Sequence, residues 1–258
     1  RTTKLDTMML NKMQTIGFIG FGSLGSMLGR GFSNKFSIVY YDPNLKNIYS
    51  TYKSVDNLKL LVKKADIIFV ATPASEFAKV ISELVLYDIK DKLIIDVLSA
   101  KILASNVYKD NKAHIGSFLS LHPLFGPPSN NDFIKDMRIV VCQKYGMLAK
   151  EFCNVLKNDY GFKLIFKTAE EHDKHMALHH AVPFVLAHVL AKMQFNKNAG
   201  ELTIPTEEKL RRIVEIAGNE SEDLYRSVVM ANPYAQEAIN ELLQALQQEK
   251  HKLWSKVD

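Results

Sequence analysis

Short runs rich in apolar, β-branched and aromatic residues recur between residues 15 and 166: TIGFIG, FSIVYY, DIIFVA, KLIIDV, FLSLH, RIVVC and KLIFK. Between them lie stretches with helical spacing, such as SEFAKVISELVL and MLAKEFCNVLKN. Strand and helix periods that take turns predict a mostly parallel sheet wrapped by helices. Residues 15–166 therefore read as a doubly wound α/β domain.

Past residue 167 the strand signal vanishes. TAEE supplies a capping box, Thr168 with Glu171, and opens the long run HDKHMALHHAVPFVLAHVLAKM, apolar nearly all round its later turns. Near the end, Asn232 suits a helix cap and Pro233 a first turn, and Ile239, Leu242, Leu243, Leu246 and Leu253 form one apolar stripe. Residues 167–258 read as an all-α domain, and a helical domain this small and this apolar is better buried by pairing, which predicts a homodimer through it.

The first strand runs into IGFIGFGSLGSMLGRGF, which sets Gly20, Gly22 and Gly25 in a GxGxxG pattern at the mouth of a helix. Gly20 permits a tight turn, Gly22 lets backbone approach a pyrophosphate, and Gly25 lets helix and strand pack closely. Phe21, Ser23 and Leu24 complete the loop, and the helix N-terminus offers unpaired N–H groups to phosphates. The next strand ends in Asp42, about 20 residues on, where the dinucleotide fingerprint of a Rossmann-type fold places an acid. A carboxylate there accepts hydrogen bonds from ribose hydroxyls and repels a 2′-phosphate, which favours NAD, with NADP as the second option. The competing reading is an ordinary Gly-rich turn followed by an exposed strand-end acid. Ala71, Thr72 and Pro73 end another strand at the same sheet edge, as cofactor neighbours or as a plain strand-to-helix turn.

Two more strands end at that edge, in DVLSAK with Ser99 and Lys101 and in SLHPLFGP with His122. Sites in open α/β sheets form outside the carboxyl ends of strands, so these three side chains can converge beside a nicotinamide. A histidine there is placed to take a proton from a substrate hydroxyl as its carbon gives up hydride. Pro123, Gly126, Pro127 and Pro128 stiffen the loop that aims it. A structural histidine, and a serine that merely caps the next helix, stay open as alternatives.

The GxGxxG and Asp42 pair, DVLSAK, HPLFGP and the EEHDKHMA entry into a long helix together resemble the prephenate/arogenate dehydrogenase family, over about residues 15 to 245. DVLSAK and SEDLYRSVVMANPYAQEAINEL lean toward its plant-like arogenate branch. The resemblance implies oxidative decarboxylation of a cyclohexadienyl acid, with His122 as proton acceptor and Ser99 bonding the same oxygen or orienting the histidine. It also implies that Asp132, ten residues past His122, selects the substrate side chain, where an acid would pair with the amino group of arogenate.

The chain departs from the family pattern at two places. Phe184 stands eleven residues past Asp173, where the family has a substrate-contacting histidine, and His180 sits one turn earlier as a substitute. His175, His179, His180 and His188 crowd the same helix, so a structural role for them is the competing reading. Ile216 replaces an arginine of the prephenate branch, with Arg211 and Arg212 about a turn away.

Composition narrows the partners. A net charge of +5, from 33 basic against 28 acidic residues in 258, is spread out with no block of like charge, which argues against nucleic acid. Cys142 and Cys153 form no metal-like pair, and HMALH has zinc-pair spacing without the catalytic Glu, so no metal is expected. No apolar run reaches the ~18 residues of a membrane span, and the start RTTKLDTMML reads as a disordered lead, so the expected location is cytoplasmic. Against the decarboxylating dehydrogenase stand a dehydrogenase of a modified cyclohexadienyl acid and a dinucleotide-binding relic without catalysis.

Overall fold

The structure, a computed structural model, describes residues 14–45, 51–126, 137–195, 204–218 and 222–255. The lead RTTKLDTMML lies outside them. The chain divides into two units, Arg1–Ala169 and Glu170–Asp258.

The first unit is built on an eight-stranded sheet. Its strands are β1 (Thr15–Ile19), β2 (Ser37–Tyr41), β3 (Lys53–Ser54), β4 (Ile67–Val70), β5 (Leu93–Asp96), β6 (Ser117–Pro123), β7 (Arg138–Tyr145) and β8 (Lys163–Phe166). They lie in the order β3-β2-β1-β4-β5-β6-β7-β8, and every pairing is parallel except β6 with β7. Among the described residues, five helices belong to this unit: α1 (Ser23–Phe32), α2 (Leu58–Lys64), α3 (Ala74–Leu84), α4 (Lys101–Asn111) and α5 (Met147–Asn158). All residues of β4 and β5 are buried. Helices on both faces leave a central parallel strand no solvent side, which is why IIFV and LIID show no alternation. The strand order reverses at β1, and the crevice above the carboxyl ends of β1 and β4 is the place where such sheets bind ligands. Strand β3 escaped the sequence pattern because two residues carry no period.

Strand β6 is also buried throughout, but its two faces meet different partners. Leu119 and Leu121 join the core that contains Phe152 of α5, whereas the Phe118 ring stacks on Tyr108 of α4 at 4.5 Å. Alternation along the strand then turns Ser120 and His122 to the α4 side. Pairing with β5 stops at Asp96 opposite Ser120, so the last three residues of β6 run beyond β5. On the other edge the register with β7 shifts between Ser120 and Leu121, leaving Cys142 between the partners Gln143 and Val141.

The second unit is helical: α6 (Ala169–Met176), a π-helical turn (Ala177–Ala181), α7 (Val182–Lys192), α8 (Pro205–Gly218), α9 (Glu222–Val229) and α10 (Ala235–Trp254). The single long helix expected from the sequence is thus widened for one turn just before Pro183. Proline offers no N–H and its ring presses on the carbonyl four residues back, that of His179, and a wider turn relieves both. Asn232 is not the expected cap: α10 starts at Ala235 with Tyr234 at the cap position. Asn232 is buried, donating from Nδ2 to the Asp173 carbonyl at 2.8 Å and accepting the Tyr234 N–H at 3.0 Å, so it ties α10 to α6. Of the apolar stripe on α10, Ile239 and Leu242 are half-buried and Leu243, Leu246 and Leu253 are exposed. No helix among the described residues is long and apolar enough to cross a membrane.

Candidate active site

The turn after β1 is packed to the limit. Gly20 has φ +84, its N–H donates to the Tyr41 carbonyl at 3.0 Å, and a Cβ there would fall 2.6 Å from the Ala71 carbonyl oxygen. A Cβ on Gly25 would come within 2.4 Å of the Gly20 oxygen. Both glycines are therefore demanded by the chain's own backbone, which brings β1, α1 and the end of β4 together. Gly22 is different. Its φ is −66 and nothing lies within 4 Å of where its Cβ would be. The chain itself has no need of glycine there, and the open space adjoins the N-terminus of α1. The Thr72 hydroxyl oxygen is buried with no partner among the described residues. Open space at a helix N-terminus, beside a buried hydroxyl, fits the pyrophosphate of a dinucleotide. Ser23 is exposed beside it, Leu24 packs on the core, and Pro73 holds the cap position of α3.

Phe21, expected among the cofactor contacts, is an anchor instead. Its fully buried ring stacks on Tyr40 at 4.3 Å and meets Phe18 edge-on at 5.5 Å. A Cβ on Gly29 would lie 2.8 Å from that ring, so α1 is notched to admit it. The Phe21 N–H is taken by Asp42, whose Oδ2 accepts it at 2.8 Å while Oδ1 accepts the Asn44 N–H at 2.9 Å. Each carboxylate oxygen keeps a further lone pair for a ribose hydroxyl. Asp42 thus ties β2 to the glycine loop and stays a hydrogen-bond acceptor toward a ligand.

At the other end of the same edge, Ser99 follows β5 and is half-buried, and His122 is buried on β6. Ala100, not Ser99, holds the N-cap position of α4. Lys101 does not reach outward as the sequence suggested. It is fully buried, its ammonium bonded to Oδ1 of the equally buried Asp96 and donating to the Leu121 carbonyl at 2.6 Å. A lone cation in such a place would be prohibitively costly, so it turns to the carboxylate. The sequence reading missed Asp96, though one acid closing the otherwise apolar LIID, five residues before a lysine, is a readable signal.

The remaining candidates fall elsewhere. Asp132 and the side chain of Ile216 lie outside the described residues. Arg211 is ion-paired with Glu207 on α8. His180 belongs to the second unit, where its ring meets Phe184 edge-on at 5.0 Å. Burial, and then the neighbouring His172, hold the His180 imidazole below its ordinary pKa. His172 in turn bonds Asp173 through Nδ1 at 2.7 Å, both side chains buried. His175 and His179 are exposed with rings 4.2 Å apart, and His188 lies 4.0 Å from the Tyr225 ring. Among the described residues, no three His, Cys, Asp or Glu side chains cluster to hold a metal.

Residues 15–100 match the family described as NADP oxidoreductase coenzyme F420-dependent. Over 94% of the chain, the sequence is 24% identical to arogenate dehydrogenase 1, chloroplastic, of Arabidopsis thaliana, covering 39% of that protein. It is 29% identical to the prephenate dehydrogenase of Lactococcus lactis subsp. cremoris, over 69% of this chain and 53% of that one. The curated proteins it is similar to are arogenate and prephenate dehydrogenases. It spans about half or less of the length of these curated relatives. The fold is shared with the Aquifex aeolicus prephenate dehydrogenase solved with hydroxyphenyl propionate and NAD+, at a TM-score of 0.76 and 16% identity over 95% of this chain and 92% of that one.

Two outcomes follow from the geometry. Gly22→Ala should leave the melting temperature within about 2 °C of wild type yet weaken dinucleotide binding at least about tenfold, whereas Gly20→Ala should lower the melting temperature itself; calorimetry and nucleotide titration check both. For His180, an unfolded imidazole titrates near ~6.5 and the folded one lower, so the unfolded chain binds more protons between the two values. The His180 part of the stability is therefore full above about pH 6.5 and is lost as pH falls through the folded value. The drop in melting temperature from about pH 7.5 to 5.5 should be smaller in His180→Gln than in wild type.

Proposed function

We propose that the chain catalyses NAD(P)-dependent oxidative decarboxylation of arogenate or prephenate, with residues 15–166 holding the dinucleotide and the helical residues 167–258 serving the substrate and the dimer. The observation that carries this reading is His122, buried near the end of β6 at the sheet edge that also carries Ser99 and the open cradle at Gly22. Gly20, Gly22, Gly25, Ala71, Thr72 and Pro73 would line the pyrophosphate side, and Asp42 the adenosine ribose. Its negative charge opposes a 2′-phosphate and favours NAD over NADP. The bound dinucleotide supplies the hydride acceptor.

His122 receives the proton of the substrate 4-hydroxyl as hydride leaves the carbon that bears it. The bond to the ring carboxylate then breaks, its electron pair passes through the ring to the 4-oxygen, carbon dioxide departs, and that oxygen takes back the proton held by His122, leaving a phenol. Ser99 bonds the same hydroxyl oxygen or steadies the imidazole. The family resemblance offers His180 and Asp132 as further substrate contacts, Asp132 by pairing with an amino group. A second reading keeps the fold and the chemistry but takes a modified cyclohexadienyl acid. It is favoured by Phe184, an apolar ring where the family carries a histidine.

With NAD, purified protein should turn over arogenate or prephenate, followed at the reduced-nicotinamide absorbance. His122→Asn should lower kcat about 10²–10⁴-fold with NAD affinity unchanged. Tight NAD binding without turnover of either acid would move the protein to the relic reading. The exposed Leu243, Leu246 and Leu253 on α10 support a homodimer. Light scattering at micromolar concentration should give twice the 29.3 kDa of the chain, and Leu246→Glu should shift it toward monomer; a wild-type monomer would refute the pairing.

A further inference from the structure

Strand β6 outruns its parallel neighbour at the catalytic end. Beyond the pair Asp96–Ser120, residues Leu121, His122 and Pro123 have β7 along one edge and, among the described residues, no strand along the other. A buried carbonyl on such an overhang loses its ladder donor, and buried carbonyls seldom stay unpaired. The Leu121 carbonyl, half of the peptide bond to His122, is met by the Lys101 ammonium at 2.6 Å. The β7 edge gives weak guidance at the same point, because its register shifts between Ser120 and Leu121. Lys101 is held in turn by Oδ1 of Asp96, which also accepts the Leu98 N–H at 3.1 Å. One buried pair therefore closes the turn that carries Ser99 and fixes the peptide that carries His122.

We propose that Lys101 and Asp96 are positioning residues: the ammonium stands in for the missing strand and sets the backbone of His122 relative to Ser99, without touching substrate. This rests on the reading of His122 as the proton acceptor. Neighbouring polar atoms underline that the pair serves geometry more than polar satisfaction. Oδ2 of Asp96 and the hydroxyl of Ser120, on residues directly opposite in the register, are both buried with no partner among the described residues.

A purely structural pair is distinguishable from a positioning one. Lys101→Met alone strands a buried carboxylate and should lower the melting temperature sharply. Adding Asp96→Asn removes that charge and keeps an acceptor for the Leu98 N–H, so the double variant should regain most of the stability. If the pair positions His122, the double variant should still lose at least about 30-fold in kcat while KM and NAD affinity stay within about threefold. A readout independent of turnover is the His122 imidazole cross-peak in histidine-labelled protein, identified by its absence in His122→Asn. It should move in the double variant while that of exposed His114 stays in place.

Wild-type kcat with an unmoved His122 signal in the stable double variant would overturn the proposal. If the wild-type protein turns over neither acid, the proposed function fails and the cross-peak alone decides the positioning. Should the methionine variants not fold, Lys101→Gln with Asp96→Asn restores a neutral donor. A His122 signal at the wild-type position is then expected, and a displaced one counts against the proposal.

Discussion

A side chain at residue 20 would collide with the carbonyl of Ala71, and that one exclusion governs how β1, α1 and β4 meet. Because Gly20 adopts φ +84 and Gly25 seats the helix directly on its carbonyl, the chain leaves β1 and enters α1 with no room for an alternative path. Phe21 then locks the turn from below, its ring driven between Tyr40 and the notch at Gly29, and Asp42 locks it from the side through the Phe21 N–H. The loop is therefore tightly packed by the chain itself, and within it Gly22 has open space where a Cβ would be, beside the N-terminus of α1. A preformed cradle spares a ligand the entropy of ordering the loop.

Most of this frame was legible in the sequence, for physical reasons. Strands buried on both faces, such as IIFV and LIID, read as unbroken apolar runs, and three glycines at fixed spacing across a strand-helix junction mark a backbone that must turn and pack tightly. What stayed hidden depends on partners distant in sequence or on groups a pattern does not carry. Lys101 looked like a site cation because its destination, a carboxylate and a carbonyl on two other segments, exists only after β5 and β6 pair. Phe21 looked like a loop residue facing a ligand because the notch that takes it is made by Gly29, eight residues on. Asn232 had the right type for a cap but spends its amide on Asp173, a longer-range bond that fixes two helices.

The π turn shows how local chemistry and helix register interact in the second unit. Pro183 breaks the i to i−4 ladder, and the wider turn Ala177–Ala181 inserts an extra residue ahead of it. The faces of α6 and α7 are thereby offset, so residues counted from Asp173 on an ideal helix do not keep their expected directions. His180 lies within the widened turn and Phe184 beyond it, yet their rings touch. His180 meets the Phe184 ring on one side, and burial, then the neighbouring His172, disfavour its charged form.

Energetics bear on why a charged pair occupies the interior at all. Removing two ions from water costs several kcal/mol each, and replacing such a pair by well-packed apolar residues is often neutral or stabilising by about 1–4 kcal/mol. Stability alone therefore gives no reason for Asp96 and Lys101, both fully buried. What an apolar replacement cannot do is donate to the Leu121 carbonyl on the unsupported edge of β6 or hold the Leu98 amide from the same point. Both bonds end one residue from a site candidate, at Ser99 and at His122. A buried charge is an expensive way to hold a fold together but an efficient way to hold two short segments at one separation, because each ion fixes several donors or acceptors at once.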